Sequence, residues 1–201
     1  MLAVSQLTCQ RGSRRLFSDV SFCLDAGQWI QIQGSNGAGK TTLLRLLAGL
    51  GLPHAGTVTW NGAPVRETRE AWHQDLLYIG HQVAIKDELS PVENLIFGLG
   101  LEGISGSRQG VIEALHRFGL KGREDLPARF LSAGQRRRVL LCRLLLRPAQ
   151  VWILDEPYTA LDVHATEFLS AVIEGHLDQG GSAILTSHQT LGLRPGMFLV
   201  L

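Results

Sequence analysis

The sequence lacks any apolar run approaching the roughly 18 residues that a membrane-spanning helix needs, and its start has no basic segment followed by an apolar stretch and a cleavage site. These absences lead to the expectation of a soluble chain that stays in the cytoplasm. Charge of one sign is not in excess either: 19 Lys and Arg against 18 Asp and Glu leave +1. That balance removes the electrostatic reason to expect nucleic acid or acidic lipid as a partner. Cysteine is scarce, and Cys9, Cys23 and Cys142 are odd in number and widely spaced. They suit a reducing compartment better than a disulfide framework, and all three are expected to be small core residues. There is no internal repeat and no low-complexity linker, so 201 residues are most simply one domain with one sizeable core.

What is present is an alternation of strand and helix signals. Val20, Phe22 and Leu24 alternate with other residues, and Trp29-Ile30-Gln31-Ile32-Gln33 does the same, so both segments read as strands. Thr42 to Ala48 has helical composition and stops at Gly49, a residue suited to a left-handed helix end. Thr57 to Trp60 followed by Asn61-Gly62 predicts a strand entering a tight hairpin turn. Leu76 to Ile79 predicts a further strand. From about Val83 to Arg147 the chain reads as mostly helical. Ser90-Pro91-Val92-Glu93 carries an N-cap Ser, Pro at N1 and Glu at N3 of a capping box. A second helix is predicted from Ser107 to Phe118. A third is capped by Ser132, with Val139, Leu140, Leu144 and Leu145 at helical spacing. Arg136, Arg137 and Arg138 in its early turns are expected to form a solvated face. Val151 to Leu154 and Ala183 to Thr186 return to strand, with a helix between them.

Gly34-Ser35-Asn36-Gly37-Ala38-Gly39-Lys40-Thr41 matches the P-loop pattern in full, with a strand before it and a helix after it. The glycines let consecutive backbone N–H groups and the helix N-terminus approach a phosphate closely. Lys40 is then expected to reach the β- and γ-phosphates of a nucleotide, and Thr41 to ligate Mg2+. The apolar run Val151 to Leu154 leads into Asp155-Glu156-Pro157, the pattern of a buried parallel strand ending at an active site. Asp155 is expected to hold Mg2+ directly or through water, and Glu156 to act as general base on the attacking water. His73, His81, His116 and His176 belong to no motif and read as structural or exposed.

With these two motifs, Leu131-Ser132-Ala133-Gly134-Gln135 resembles the signature sequence of ABC ATPases. Gln82 matches that family's Q-loop glutamine, Ala160-Leu161-Asp162 its D-loop, and His188 its switch histidine, all in the family's order. The resemblance covers nearly the whole chain. It implies an α/β P-loop NTPase of ABC ATPase type: a parallel-sheet core, an antiparallel N-terminal β part and an inserted helical subdomain. Residues 1–82 and 148–201 would form the catalytic core, and about 83–147 the helical subdomain.

The resemblance further implies that Gln82 touches Mg2+ and the attacking water, and that His188 contacts the γ-phosphate. ATP would lie on Gly34 to Thr42 of one copy, facing Ser132, Gly134 and Gln135 of a second copy in a head-to-tail dimer. Two residues depart from the pattern. Ala133 stands where the signature usually has Gly, and Arg11 occupies the place where many members stack an aromatic on adenine; a guanidinium can also stack on a base.

Within the family, Trp29 to Gly39, Tyr78 to Gln82, Leu131 to Val139 and Val151 to Pro157 are most similar to the ATP-binding subunits of cytochrome c maturation, or haem exporter, systems. This implies ATP and Mg2+ as cofactors and integral membrane permease subunits as partners. It also implies a peripheral position on the cytoplasmic face of the bacterial inner membrane, with no nucleic acid. The alternatives are the ATPase of another small exporter, a soluble clamp acting on ribosome or DNA, and an ATP-binding scaffold that does not hydrolyse.

Overall fold

The alternating N-terminal third builds strands. The first two, β1 (Leu2–Arg11) and β2 (Arg14–Leu24), form a hairpin, and β3 (Trp29–Gln33) has the bounds its sequence pattern suggests. Helix α1 (Lys40–Leu47) follows the glycine loop, then come β4 (Ala55–Trp60), β5 (Ala63–Pro64), α2 (Arg69–Asp75) and β6 (Leu76–Ile79). The helical stretch holds α3 (Pro91–Leu101), α4 (Arg108–Arg117), α5 (Ala133–Leu141) and α6 (Arg143–Leu146). The chain ends with β7 (Val151–Leu154), α7 (Val163–Asp178), β8 (Ser182–Thr186) and β9 (Met197–Val200). This computed structural model describes residues 1–187 and 191–201, and its contacts fall into two compact units.

The first unit comprises Met1–Gly80, Ala149–Glu156 and Ile173–Leu201, and holds both sheets. One sheet is antiparallel, in the order β2-β1-β4-β5, with its β4–β5 turn at Asn61-Gly62. The other is parallel, in the order β6-β7-β8-β3-β9. Its inner strands β7 and β8 are buried at every residue, which is why their sequences are apolar runs without alternation. Leu2, Leu7 and Leu24 of the antiparallel sheet, Leu43, Leu44 and Leu47 of α1, and Ile30, Ile32, Ile153 and Ile184 of the parallel sheet share one core. Each such side chain, fully buried, contributes about 1.5–3 kcal/mol. In the parallel register Leu154 lies beside Ile79 and Leu185, and Ile32 beside Thr186. The C-terminal ends of β3, β7 and β8 therefore lie side by side, where ligands of such sheets bind.

The second unit comprises His81–Pro148 and Pro157–Val172. The predicted Ser90–Glu93 capping box is present, and the predicted cap Ser132 forms a second box with Gln135. The third predicted helix, however, is interrupted at Cys142. Its N–H is shared between the Arg138 and Val139 carbonyls, its thiol donates back to the Arg138 carbonyl at 3.2 Å, and Leu145 N–H donates to the Cys142 carbonyl three residues back. That tightening divides α5 from α6.

Residues 157–172 group with the second unit, where Asp162 pairs with Arg138 and Phe168 packs edge-on against Phe118 with ring centroids 4.9 Å apart. Two sequence expectations need correction. The three arginines are not a solvated face. Arg137 is buried, Arg136 bonds Asp87 and the Arg129 and Leu131 carbonyls, and Arg138 bonds Asp162. Cys9 and Cys142 are core residues as expected, but Cys23 is exposed. Finally, β1, β9 and α2 are elements that the sequence pattern did not reveal.

Candidate nucleotide-binding site

Between β3 and α1 the chain turns through Gly34 to Gly39. Ser35, Asn36 and Gly37 are exposed at its mouth. Gly39 is the N-cap of α1 at φ 108°, and a Cβ there would stand 3.1 Å from Phe17 Cδ1 and 3.3 Å from Leu16 Cβ. Only glycine fits both the backbone angle and the approach of β2. No side chain caps α1, so its first-turn N–H groups face outward, and the helix dipole adds partial positive charge. Lys40 is buried, and its Nζ donates to the carbonyls of Gly34 at 2.7 Å and Ser35 at 3.2 Å. Its ammonium thus lies across the loop. Backbone donors, a helix end and a lysine converging on one concavity can hold a polyphosphate.

Directly after β7, Asp155 is 2% exposed and accepts two hydroxyl hydrogen bonds. Thr41 Oγ1 donates to its Oδ2 and Thr186 Oγ1 to its Oδ1, each at 2.7 Å. Its backbone N–H donates to the Ile79 carbonyl at 2.8 Å. Its negative charge is felt by Tyr78 on β6: burial first, and Asp155 second, hold that phenol above its ordinary range. Thr41 and Asp155 together offer hard oxygen donors of the type Mg2+ takes. Among the described residues no three His, Cys, Asp or Glu side chains form a metal-binding group. That donor set fits Mg2+, which is commonly held by one or two protein ligands with waters and substrate phosphates.

Glu156 follows with a left-handed backbone, φ 50°, and its N–H donates to Thr186 Oγ1 at 2.7 Å. The Thr186 hydroxyl therefore bridges the two acidic residues, donating to one and accepting from the next. Sequence reading passed over Thr186, because a threonine ending a strand is ordinary. The usable signal was the parallel register of β7 with β8: its last pair is Leu154 with Leu185, and Asp155 and Thr186 are the next residue on each chain segment.

Lys40, Thr41, Asp155, Glu156 and Thr186 are thus brought together in the first unit. In the same unit Arg11 ends β1, exposed and opposite Arg14, with Gly12 turning the hairpin at φ 61°. Thr42 is half-buried in the first turn of α1. Gln82 belongs to the second unit and is exposed. Ser132, also exposed, accepts from Gln135 N–H at 3.2 Å, while Gln135 Oε1 accepts from Ser132 N–H at 2.9 Å, so each caps the other. Gly134 has a local reason to be glycine: a Cβ would stand 2.4 Å from the Ala160 carbonyl oxygen. Ala160 is itself left-handed at φ 64°. The expectation for His188 falls outside the described residues.

The family profile described as ABC transporter matches residues 17–159. The cytochrome c biogenesis ATP-binding export protein CcmA of Escherichia coli O157:H7 is 52% identical over 193 residues, spanning 96% of this chain and 91% of that protein. Among solved structures, an ATP-binding subunit of an ABC transporter superposes with a TM-score of 0.82 at 27% identity, covering 94% of this chain and 79% of the other. A dimeric ATP-binding cassette in a post-hydrolysis state, bound to ADP and Pi, has the same fold, with a TM-score of 0.82 at 21% identity over 94% of this chain and 88% of its own.

Proposed function

The chain belongs to the ABC transporter family, and from that premise we propose that it is the ATP-hydrolysing subunit of an export complex serving c-type cytochrome biogenesis, including haem handling. The observation that carries this reading is 52% identity to the Escherichia coli export protein over 96% of the chain. As an ABC ATPase it converts ATP and water to ADP and phosphate. ATP's phosphates occupy the loop from Gly34 to Thr42, and Lys40 exchanges its two carbonyl partners for phosphate oxygens. Thr41 and Asp155 would hold Mg2+, with Gln82 proposed as a further contact, and the ion would supply charge neutralisation to the phosphates. Glu156 accepts the proton of the attacking water, and His188 contacts the γ-phosphate. Arg11 stacks on the adenine. The catalysis lies in positioning and electrostatics more than in covalent chemistry.

Ser132 and Gly134, at the N-terminus of α5, complete the phosphate cage of a second copy docked head to tail. A cassette of the same fold is described as a dimer bound to ADP and Pi, which supports a two-copy assembly. Among the described residues no helix is long and apolar enough to cross a membrane. In this reading the motor works on separate permease subunits, from a peripheral position on the cytoplasmic face of the inner membrane; the likeness to an ATP-binding export protein supports it. A groove of about 240 Å3 in the helical unit supports docking there. Ile85 and Lys86, which follow Gln82, and Phe97 and Leu101 of α3 line it, and Phe97 and Leu101 are 45% and 73% exposed.

One preparation tests both parts of this reading. Tagged Glu156→Gln protein should bind ATP, accumulate as an ATP-bound dimer and lose nearly all turnover. Isolated from native membranes, it should carry cytochrome c maturation subunits. Normal turnover would remove Glu156 as the base, and recovery with ribosomes or a drug-efflux permease would overturn the cytochrome assignment.

A further inference from the structure

Within the helical unit, the helix that presents Ser132 is fastened to the Ala160-Leu161-Asp162 segment at two levels. At its first turn, Gly134 rests so close to the Ala160 carbonyl that a Cβ would stand 2.4 Å from the oxygen. One turn later on the same face, Arg138 Nη2 meets Asp162 Oδ2 at 2.7 Å. Asp162 is anchored from its other side, because Oδ1 accepts the Ala165 N–H at 2.9 Å and so caps α7. The Ala165 N–H first, and the Arg138 charge after it, hold the Asp162 carboxyl below its ordinary range. The guanidinium is also backed by the end of α4, where a Cβ on Gly119 would stand 3.2 Å from Arg138 Nη1.

We propose that Arg138 is a positioning residue: through Asp162 it locks the signature helix to the D-loop, so that both segments meet a partner copy's nucleotide as one body. This rests on the head-to-tail reading above. The pair is unsuited to a purely structural purpose. Its side chains are 19% and 56% exposed, and ion pairs so open to solvent add little to folding. Orientation is another matter, because an error of about 1 Å in a catalytic group can cost on the order of 100-fold in rate. The contact at Gly134 fixes where the helix starts, and Arg138 fixes its angle. A helix held at both points presents Ser132 in one orientation only.

The test uses the full chain in the Glu156→Gln background, comparing nucleotide affinity, melting temperature and ATP–Mg2+-dependent dimerisation by sedimentation. Arg138→Ala should leave the affinity of the monomer for a fluorescent ATP analogue within about twofold and the melting temperature nearly unmoved, while weakening the dimer about tenfold or more. Asp162→Asn, which keeps the cap on α7, should behave alike, and Arg138→Lys should recover part of the loss. Ser132→Arg is the control for the dimer itself. If Ser132→Arg abolishes dimerisation but Arg138→Ala does not weaken it, the positioning proposal fails and the head-to-tail reading stands. If neither affects the dimer, or if ATP induces none, the head-to-tail reading fails and takes this inference with it. An equal loss of melting temperature and nucleotide affinity in Arg138→Ala would reduce Arg138 to a structural residue.

Discussion

Replacing Thr186 by valine would take one oxygen atom out of the centre of the site. Thr186 is fully buried, and valine has nearly its shape, so the substitution opens no cavity. Two hydrogen bonds of 2.7 Å disappear, one given to the Asp155 carboxylate and one received from the Glu156 N–H. A hydrogen bond to a charged group is worth about 1.5–3 kcal/mol, and depriving a buried N–H of its acceptor costs about 1–3 kcal/mol. Both losses stem from one atom and overlap, so the net is about 2–4 kcal/mol. For a chain of this length each kcal/mol moves Tm by about 2–4 °C, which predicts a fall of roughly 5–15 °C in a thermal scan. Turnover should drop further than stability explains. The Thr186 bond helps hold Glu156 in a left-handed conformation that costs about 1–2 kcal/mol, and a released Glu156 no longer aims its carboxylate. Thr186→Ser keeps the hydroxyl and should restore most of both losses. A Thr186→Val protein melting within about 2 °C of the parent with unchanged ATPase activity would refute the bridging argument.

Gly134→Ala should destabilise the chain even without nucleotide or partner, since its Cβ falls about 1 Å short of an ordinary contact with the Ala160 oxygen. Overpacking of this kind costs about 1–3 kcal/mol and would lower Tm by roughly 2–10 °C; an unmoved Tm would mean that glycine is needed there only for the partner's phosphate. His176 stacks flat on Trp152 at 3.7 Å, and burial lowers its pKa from the ordinary 6.5. The neutral ring is the folded form, so its stabilisation is full above pH 6.5 and is lost as pH falls toward the depressed folded value. His176→Phe should flatten the fall in denaturation midpoint on acidification below pH 6.5, and an identical pH profile would remove His176 as a source of acid sensitivity.

Much of the fold was legible because the local signals agree with the tertiary structure. The run Trp29 to Gln33 sits between a turn and the glycine loop, and the Ser90 and Ser132 boxes satisfy their own helix ends whatever packs against them. Strand β1 was missed because its register shifts between Val4 and Leu7, where Gln6 has φ 50° and breaks the two-residue alternation. The arginines were misread for another reason. Whether a guanidinium is solvated depends on what the chain brings to it, and Asp87 and Asp162 lie far from Arg136 and Arg138 in sequence. In the site, the closeness of the P-loop to Asp155-Glu156 was legible because both motifs follow strands, and the parallel sheet brings those strand ends together. Thr186 was not, because its value comes from a neighbouring strand's register.

Lys40 and Asp155 already have partners within the protein, and on the proposed reading this sets how ATP would gain affinity from the site. Lys40 donates to two carbonyls, and Asp155 receives two hydroxyl protons. A phosphate therefore exchanges existing hydrogen bonds for new ones and does not simply add to them, and for neutral partners such an exchange is worth only about 1 kcal/mol each. The gain must come from charge. An ammonium moved from a carbonyl to a phosphate oxygen makes a bond roughly twice as strong. Removing Lys40's charge should thus weaken ATP far more than its two carbonyl bonds suggest, whereas losing Ser35 or Asn36 side chains at the exposed mouth should matter little beside the backbone donors of the loop.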